Sequence, residues 1–484
     1  GGRRARGEGS SGAVQVVKWL YPGMRVKRWL CLVGVGVLCI SVGIALFAGV
    51  AVLGALETSL IGLSHRLLGV SPLPLTAPTG LALVALGIAC ISWGIRQTIR
   101  SLMAVFAPED VPYLADIVFE RRHLARGPRV VAIGGGTGLS TLLRGLKAYT
   151  SRITAIVTVA DDGGSSGRIR SELGILPPGD IRNTLVALAD TEPLMERLFQ
   201  YRFGRGEGLE GHSFGNLFIA AMCDVTGDFE EAVRQSSRVL AVRGRVLPST
   251  LTDVALRAEY ADGTVEVGES RIPRPGKTIR RVSLVPEAPE PHPEVLRAIA
   301  RADLIVLGPG SLYTSVIPNL LVRGLADALR RSPAVKVYVC NVMTQPGETD
   351  GYGAVEHVQA ILDHVGPGLL DHVVMNSEPV PPAAQRRYNL EGAHPVRPDE
   401  AGIRRLGLTP VCRPLISKND LVRHDPERLA ETVMEAIGPS GLSEGRFSWD
   451  RARPWWRRGA RVPKRAPAVK RPDVPPEAIR SARG

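Results

Sequence analysis

From residue 127 to about 438 the chain alternates short apolar segments with amphipathic ones, and this alternation most limits the folds open to it. Segments rich in β-branched residues predict strands at 128–133, 152–160, 304–310, 335–341 and 372–377. Segments with helical spacing lie between them, at 138–149, 319–331 and 354–365. We therefore predict an α/β fold, with a Rossmann-like, mainly parallel sheet and helices on both faces. A hairpin at 254–270 is the predicted antiparallel exception.

Two apolar runs precede this region. Residues 29–56 contain no charged side chain, and residues 79–95 form a second, shorter uncharged run. The first is long enough to cross a hydrocarbon core of about 30 Å, and the second is at the lower limit. The first run also exceeds the apolar region of about 7–15 residues found in signal peptides. We predict a two-helix transmembrane hairpin within 29–99.

The positive charges predict how this hairpin is oriented. Seven Lys or Arg residues precede the first run, whereas only Arg66 lies in the connection at 57–78. Arg96 and Arg100 follow the second run. Since positive residues stay on the cytoplasmic side, both ends of the hairpin are expected there. The chain is predicted to be a multi-pass cell-membrane protein whose main domain faces the cytoplasm.

The net charge of +13 is concentrated at the two ends of the chain. Residues 1–28 form a basic tail, and residues 446–484 carry twelve Lys or Arg and three acidic residues. The Arg- and Pro-rich segment 439–484 is predicted to be disordered. A polar connector is expected at 100–126. The nearly neutral domain at 127–438 argues against a nucleic-acid partner, which would require a basic stripe.

The six cysteines include no C-x-x-C pair. Neither a zinc site nor a disulfide framework is therefore predicted.

Five polar, glycine-containing loops are the candidate ligand-binding segments. They are GGGTGLS (134–140), DDGGSSGR (161–168), GHSFGN (211–216), GPGSLYTSVIPN (308–319) and CNVMTQPGET (340–349). Loops at the carboxyl edge of a parallel sheet form ligand sites, and helix N-termini there offer N–H groups to anions. The first loop matches neither Walker A nor G-x-G-x-x-G. We predict one crevice for a ligand with phosphates and hydroxyls, such as a nucleotide or sugar nucleotide.

The candidate ligand-binding residues come from these loops and from the turn 176–185. They are Gly134, Gly135, Gly136, Thr137, Gly138, Asp161, Asp162, Gly163, Gly164, Ser165, Asp180, Asn183, His212, Asn216, Gly308, Gly310 and Ser311. Asp161 and Asp162 could coordinate Mg²⁺ or, alternatively, bind loop N–H groups. Asp180 could instead cap a helix that starts at Ile181. His212 is expected to orient the ligand or its own loop. No convincing nucleophile–base pair is found.

These motifs, in this order, closely resemble the gluconeogenesis-factor (YvcK-type) proteins, which are related to 2-phospho-L-lactate transferase. The matching stretches are IGGGTGLS, VADDGGSSGR, PPGDIRN, HSFGN, LPST, GPGSLYTSVIPNLL and YVCNVMTQPGET, within about 127–438. The resemblance implies a Rossmann-like fold that binds a sugar nucleotide of the UDP-N-acetylglucosamine kind. It also implies a role in cell shape and wall synthesis that depends on carbon metabolism, with no settled enzymatic activity.

The resemblance also assigns roles to two acidic residues. In the related transferase, two acidic positions contact the acceptor, and the matching positions here are Asp162 and Asp180. The turn differs, however, because this chain has Pro-Pro-Gly-Asp where the transferase has Ser-Pro-Asp.

Three function classes stay open at this point. The first is a nucleotide-sugar-binding regulator at the inner membrane face, expected to be a homo-oligomer. The second is a Mg²⁺-dependent phospho-group transferase with Asp162 and Asp180 as candidate catalytic residues. The third is a membrane scaffold that uses the basic tail.

Overall fold

The computed structural model describes residues 27–47, 73–106, 121–190, 193–417 and 422–437. The chain divides between Glu120 and Arg121 into two compact units. The predicted C-terminal tail, nearly all of the N-terminal tail and most of the connection between the apolar helices lie outside the described residues.

The first unit contains two long apolar helices, α1 (Lys27–Phe47) and α2 (Leu73–Phe106). Both are long and apolar enough to cross a membrane, a property that some core helices and signal sequences share. The predicted first run continues to residue 56, and its part beyond Phe47 is outside the described residues. The helix α2 extends beyond the apolar run 79–95 at both ends and includes Arg96 and Arg100, so the predicted span lies within it.

Glycines allow α1 and α2 to pack closely. A Cβ at Gly43 would lie 2.6 Å from the carbonyl oxygen of Gly80, and one at Gly36 would lie 2.7 Å from that of Gly87. Small residues at such positions let two backbones approach each other. Leu38 and Leu81 on other faces of the helices are each 63% exposed. The described part of this unit therefore leaves apolar side chains uncovered.

The second unit is built on a seven-stranded sheet in the described part of the chain. The strands of the unit are β1 (Val130–Gly134), β2 (Ile153–Val157), β3 (Arg245–Pro248), β4 (Ala255–Tyr260), β5 (Val265–Val267), β6 (Ile279–Val285), β7 (Leu304–Leu307), β8 (Val335–Val339), β9 (His372–Asn376) and β10 (Thr409–Arg413). The large sheet has the order β10-β9-β8-β7-β1-β2-β3, and every pairing in it is parallel. The predicted mainly parallel α/β sheet is confirmed.

The helices of this unit connect the strands and cover the sheet. They are α3 (Gly136–Leu146), α4 (Gly164–Leu173), α5 (Gly179–Leu188), α6 (Pro193–Gln200), α7 (Phe214–Thr226), α8 (Phe229–Val239), α9 (Pro293–Ala300), α10 (Ile317–Leu320), α11 (Leu325–Arg331), α12 (Ala354–Val365), α13 (Pro382–Leu390), α14 (Glu400–Arg405) and α15 (Pro426–Glu435). The predicted single helix at 319–331 is wrong. It is interrupted at Gly324, whose φ of +70° is left-handed.

Alternate residues of β1 belong to different hydrophobic clusters. Val131 and Ile133 pack in one cluster, with the apolar faces of α9, α11 and α12. Val130 and Ala132 pack in the other, with α3, α5 and α15. Since successive side chains of a strand point to opposite faces, the sheet is covered on both sides. Because both faces of the sheet are buried, the positions of the strand ends and of the loops that follow them are fixed.

The strands β5, β4 and β6 form a separate antiparallel sheet in that order. The hairpin predicted at 254–270 is present as β4 and β5. Leu256, Ala258 and Tyr260 alternate inward along β4 and join the first cluster. A 3₁₀ turn, Glu269–Arg271, follows β5 and contacts the loop after β2.

Candidate functional site

A cavity of about 640 Å³ opens at the carboxyl edge of the large sheet, where the strand order reverses between β1 and β7. Chain connections run to opposite sides at such a point, which leaves a crevice between the first loops on each side. The loops after β1, β2, β7 and β8 all contribute to the walls. We refer to this space as the carboxyl-edge cavity.

The loop after β1 brings backbone groups to this cavity. Gly135, Gly136, Thr137 and Gly138 line it, and α3 begins at Gly136. N–H groups in the first turn of a helix have no intrahelical partner, and they lie at the positive end of the helix dipole. A Cβ at Gly138 would lie 2.5 Å from the carbonyl oxygen of Pro309, so glycine is needed where the two loops meet. This wall suits a phosphate or another anion.

Asp180 lies against the same turn and accepts a hydrogen bond from the N–H of Gly136. Burial, and after it the nearby charge of Asp161, raises the pKa of its carboxyl to about 7, although the hydrogen bond from Gly136 opposes this. The alternative role of Asp180 as a helix cap is wrong: α5 begins at Gly179, its N-cap is Pro178, and Asp180 lies in the first turn. Asp180 therefore faces the cavity as a group that titrates near neutral pH.

Two further carboxyl groups near the cavity have raised pKa values. Burial and the charge of Asp161 raise the pKa of Glu269 to about 7, although a hydrogen bond with Thr314 opposes this. Burial also raises the pKa of Glu348 to about 7. The carboxylate of Glu348 accepts hydrogen bonds from the N–H groups of Tyr313, at 2.8 Å, and Thr314, at 3.3 Å. Glu348 thus holds the start of the segment that follows Ser311.

The loop after β2 directs its two aspartates to different places. Asp161 lines the cavity, and its Oδ1 accepts a hydrogen bond from the N–H of Gly163 at 2.9 Å. Asp162 instead accepts a hydrogen bond from the N–H of Ser270 at 2.8 Å. Asp162 is not among the residues that line the cavity. The two neighbours therefore have separate roles, one toward the cavity and one toward the small sheet.

The second half of DDGGSSGR is not a loop, because α4 starts at Gly164. Ser165 is buried in its first turn. Its hydroxyl lies 3.1 Å from His212 Nδ1 and accepts hydrogen bonds from the N–H of Ser213 and from Asn216, each at 3.2 Å. Burial lowers the pKa of His212. These hydrogen bonds join α4 to α7. None of these residues lines the cavity, so GHSFGN contributes to the site only by holding α4 in place.

The remaining candidate residues divide in the same way. Gly310 and Ser311 line the cavity, and Gln345 donates a hydrogen bond to the Ser311 hydroxyl at 2.7 Å. Gly134 and Gly308 lie at the strand ends, where Gly134 O accepts from Asn319 at 3.1 Å. Asn183 accepts a hydrogen bond from Arg182 at 2.8 Å. Gly134, Gly163, Gly164, Asn183 and Gly308 are all absent from the cavity wall. Their part in ligand binding stays a prediction.

The fit of Mg²⁺ to the predicted pair can be judged from these contacts. Asp161 and Asp162 point to different backbone partners, so the two carboxylates do not form a joint site. Within the residues that the structure describes, no group of three or more His, Cys, Asp or Glu side chains is arranged to hold a metal ion. The donor set of this pair alone therefore does not fit Mg²⁺, which prefers octahedral oxygen coordination.

Several residues that line the cavity were not predicted from the sequence. Glu269 comes from the small sheet, and no local motif indicates that it reaches the large one. His424, which follows β10, is 6% exposed, and burial lowers its pKa to about 4. Asn341 exchanges hydrogen bonds with the backbone of Gly310, at 2.8 and 3.2 Å. Only Asn341 carried a signal, because it lies directly after a predicted strand.

Comparisons with known proteins place these features in a family context. A family model described as 2-phospho-L-lactate transferase CofD matches residues 130–416. A putative gluconeogenesis factor of Nostoc sp. (strain PCC 7120) is 48% identical over 442 residues, which is 90% of this chain and 96% of that protein. The gluconeogenesis factor of Bacillus subtilis (strain 168) is 52% identical over 315 residues, 65% of this chain and 99% of that protein.

A solved structure matches as well. The crystal structure of a UPF0052 family protein from Bacillus halodurans has 52% sequence identity and a TM-score of 0.62. The match covers 64% of this chain and 99% of that one.

Proposed function

This chain belongs to the CofD family and, within it, to the gluconeogenesis factors, and we propose that it binds a nucleotide sugar of the UDP-N-acetylglucosamine kind in the carboxyl-edge cavity. The observation that carries the proposal is the presence of two unlike kinds of group around one space. The first-turn N–H groups of α3 beyond Gly136, which already donates to Asp180, suit a diphosphate, and the carboxylates of Asp161 and Asp180 suit sugar or ribose hydroxyls.

Calorimetry on the full-length chain in detergent tests this proposal. UDP-N-acetylglucosamine is titrated in parallel with UDP and with N-acetylglucosamine alone. We expect saturable binding of the whole ligand that is tighter than that of either part, because the N–H groups and the carboxylates hold different parts of it. Absence of detectable binding at millimolar ligand would overturn the proposal.

We further propose that ligand binding serves regulation, linking carbon metabolism to cell shape and cell-wall synthesis. The names of the relatives support the metabolic part of this role. A strain that lacks the protein should show altered shape on gluconeogenic carbon sources, and the wild-type gene should restore it. An Asp161→Asn gene should fail to restore it, while Asp162→Asn should succeed. Equal rescue by both genes would show that the cellular role does not depend on Asp161 in the carboxyl-edge cavity.

A phospho-group transferase is the second candidate function. The family model is named for such an enzyme, and Asp180 has a pKa raised to about 7 inside the cavity. A group that titrates near the working pH can both accept and donate a proton. Phosphorus NMR of the protein with a nucleotide-diphospho donor, with and without Mg²⁺, should then show product release that Asp180→Asn abolishes. Unchanged turnover in that variant would exclude this role for Asp180.

We also propose that α1 and α2 form a membrane hairpin that keeps the α/β unit in the cytoplasm. Support comes from the length of both helices and from exposed apolar residues such as Leu38 and Leu81, which would be unfavourable in water. A membrane-impermeant maleimide should label an Arg66→Cys variant in intact cells and leave the wild type unlabelled. Labelling of Arg66→Cys only after cell lysis would contradict this orientation.

A further inference from the structure

A second cavity lies at the opposite, amino edge of the large sheet. It has a volume of about 740 Å³ and is lined by the first residues of β1, β2 and β3 and by α9. Five lining residues are arginines: Arg129, Arg152, Arg245, Arg297 and Arg301. The strands are four or five residues long, so about 15 Å separates this space from the carboxyl-edge cavity. We call it the amino-edge cavity.

Part of this positive charge has a structural role. Arg129 forms a bidentate pair with Asp303, with Nη2–Oδ1 at 2.7 Å and Nε–Oδ2 at 3.1 Å. The N–H of Arg129 also donates to Asp303 at 2.8 Å. These contacts join the start of β1 to the start of β7. Arg129 is therefore held in place, and its removal would disturb the sheet itself.

The other arginines exceed the carboxylates that face them. Glu294 is shared by Arg245, at 2.9 Å, and by Arg297. Arg152 and Arg301 are exposed and form no ion pair with a carboxylate in the described part of the chain. Several guanidinium groups around one concave space repel one another unless an anion binds between them.

The geometry points to a ligand that carries two or more phosphate groups. Guanidinium groups bind phosphate through two parallel N–H···O bonds, and several of them around a cavity of this volume can hold more than one phosphate. The hydroxyl-bearing residues Ser151 and Thr154 also line the space and add donors. This site is separate from the proposed nucleotide-sugar site, so either can fail without the other.

Inorganic pyrophosphate is the probe for this site, titrated by calorimetry into the full-length chain in neutral-lipid nanodiscs. We expect saturable binding to the wild type that weakens as salt is raised. The double variant Arg152→Gln/Arg301→Gln should raise the dissociation constant about tenfold or more, since two charge-assisted contacts are lost. The matched control Arg404→Gln/Arg405→Gln, which removes the same charge from α14, should change it less than about twofold.

Three results would overturn the proposal. One is a wild type that shows no saturable binding of millimolar pyrophosphate. Another is equal weakening by both double variants, which would indicate bulk charge attraction only. The third is weakening by Ser311→Ala while Arg152→Gln/Arg301→Gln binds normally, which would place pyrophosphate in the carboxyl-edge cavity. Thermal unfolding of each variant checks that its fold is retained.

A second arm identifies the source of the phosphate. The same titration is repeated in nanodiscs that contain cardiolipin, a lipid whose headgroup carries two phosphates. If a lipid headgroup is the natural ligand, the anionic nanodiscs compete and weaken pyrophosphate binding to the wild type. If the ligand is a free phosphate compound, binding is the same in both lipids. Either result supports a phosphate site at the amino edge.

Discussion

At the carboxyl edge of the sheet, Asp180 and Glu348 accept hydrogen bonds from backbone N–H groups, whereas at the amino edge Glu294 pairs with the exposed arginines Arg245 and Arg297. Both edges bring charged groups into a cavity of several hundred Å³. At the first, carboxylates hold the backbone and titrate near neutral pH. At the second, Glu294 only offsets an excess of surface positive charge. Burial of the carboxylate, more than the number of its contacts, therefore decides how much it matters for stability.

The largest effect is expected from Glu348→Ala, which should lower the free energy of unfolding by about 3 kcal/mol. The substitution leaves the buried N–H groups of Tyr313 and Thr314 without an acceptor, at about 1–3 kcal/mol each. Glu348→Gln keeps an acceptor and should cost less. Urea unfolding measures both. If Glu348→Ala lowers the free energy of unfolding by less than about 1 kcal/mol, the buried carboxylate stabilises the fold no more than an exposed one does.

The pH dependence of stability should come from the carboxyl edge. Asp180, Glu269 and Glu348 have pKa values raised to about 7, so these three groups bind more protons in the folded protein than in the unfolded chain between about pH 4 and pH 7. They make the free energy of unfolding fall as pH rises through this window, while His424, whose pKa burial lowers to about 4, acts in the opposite direction below about pH 6.5.

Unfolding at pH 5 and pH 8 tests this expectation. Asp180→Asn should flatten the dependence, because the amide does not titrate. A pH dependence of Asp180→Asn equal to that of the wild type would show that the raised pKa of Asp180 is wrong.

The two neighbouring aspartates give a matched test of ligand binding. Asp161→Asn should weaken nucleotide-sugar binding about tenfold, since Asp161 lines the cavity. Asp162→Asn should leave the affinity nearly unchanged, because its side chain accepts from Ser270 and an amide oxygen can do the same. Calorimetry compares the two. A larger effect at Asp162 would favour the role that the transferase resemblance assigns to it.

The smallest stability effect is expected at the amino edge. Glu294→Ala should change the free energy of unfolding by less than about 1 kcal/mol, because its partners Arg245 and Arg297 are more than half exposed. The same variant should bind pyrophosphate about two- to threefold more tightly, since it frees two guanidinium groups. Tighter binding with unchanged stability would support the difference between Glu294 and the buried carboxylates of the carboxyl edge. A large loss of stability would contradict it.

The sequence predicted the fold better than the site. Period-two and helical patterns located β1, β2, β7, β8, β9 and α12 because each buries a local apolar face. The site depends on contacts distant in sequence. Asp162 reaches Ser270, and Glu348 reaches Tyr313, and no local pattern records either pairing. The glycines of GSSGR (164–168) also led to the prediction of a loop, whereas these residues begin α4.

Hydrogen–deuterium exchange with UDP-N-acetylglucosamine tests the central claim most directly. The account predicts that ligand slows exchange in peptides covering 135–139 and 310–315, which border the carboxyl-edge cavity. Peptides covering 151–154 at the amino edge should be unchanged, and Asp161→Asn should reduce the protection. Protection confined to 151–154, or none at 135–139 under saturating ligand, would contradict the assignment of the nucleotide-sugar site.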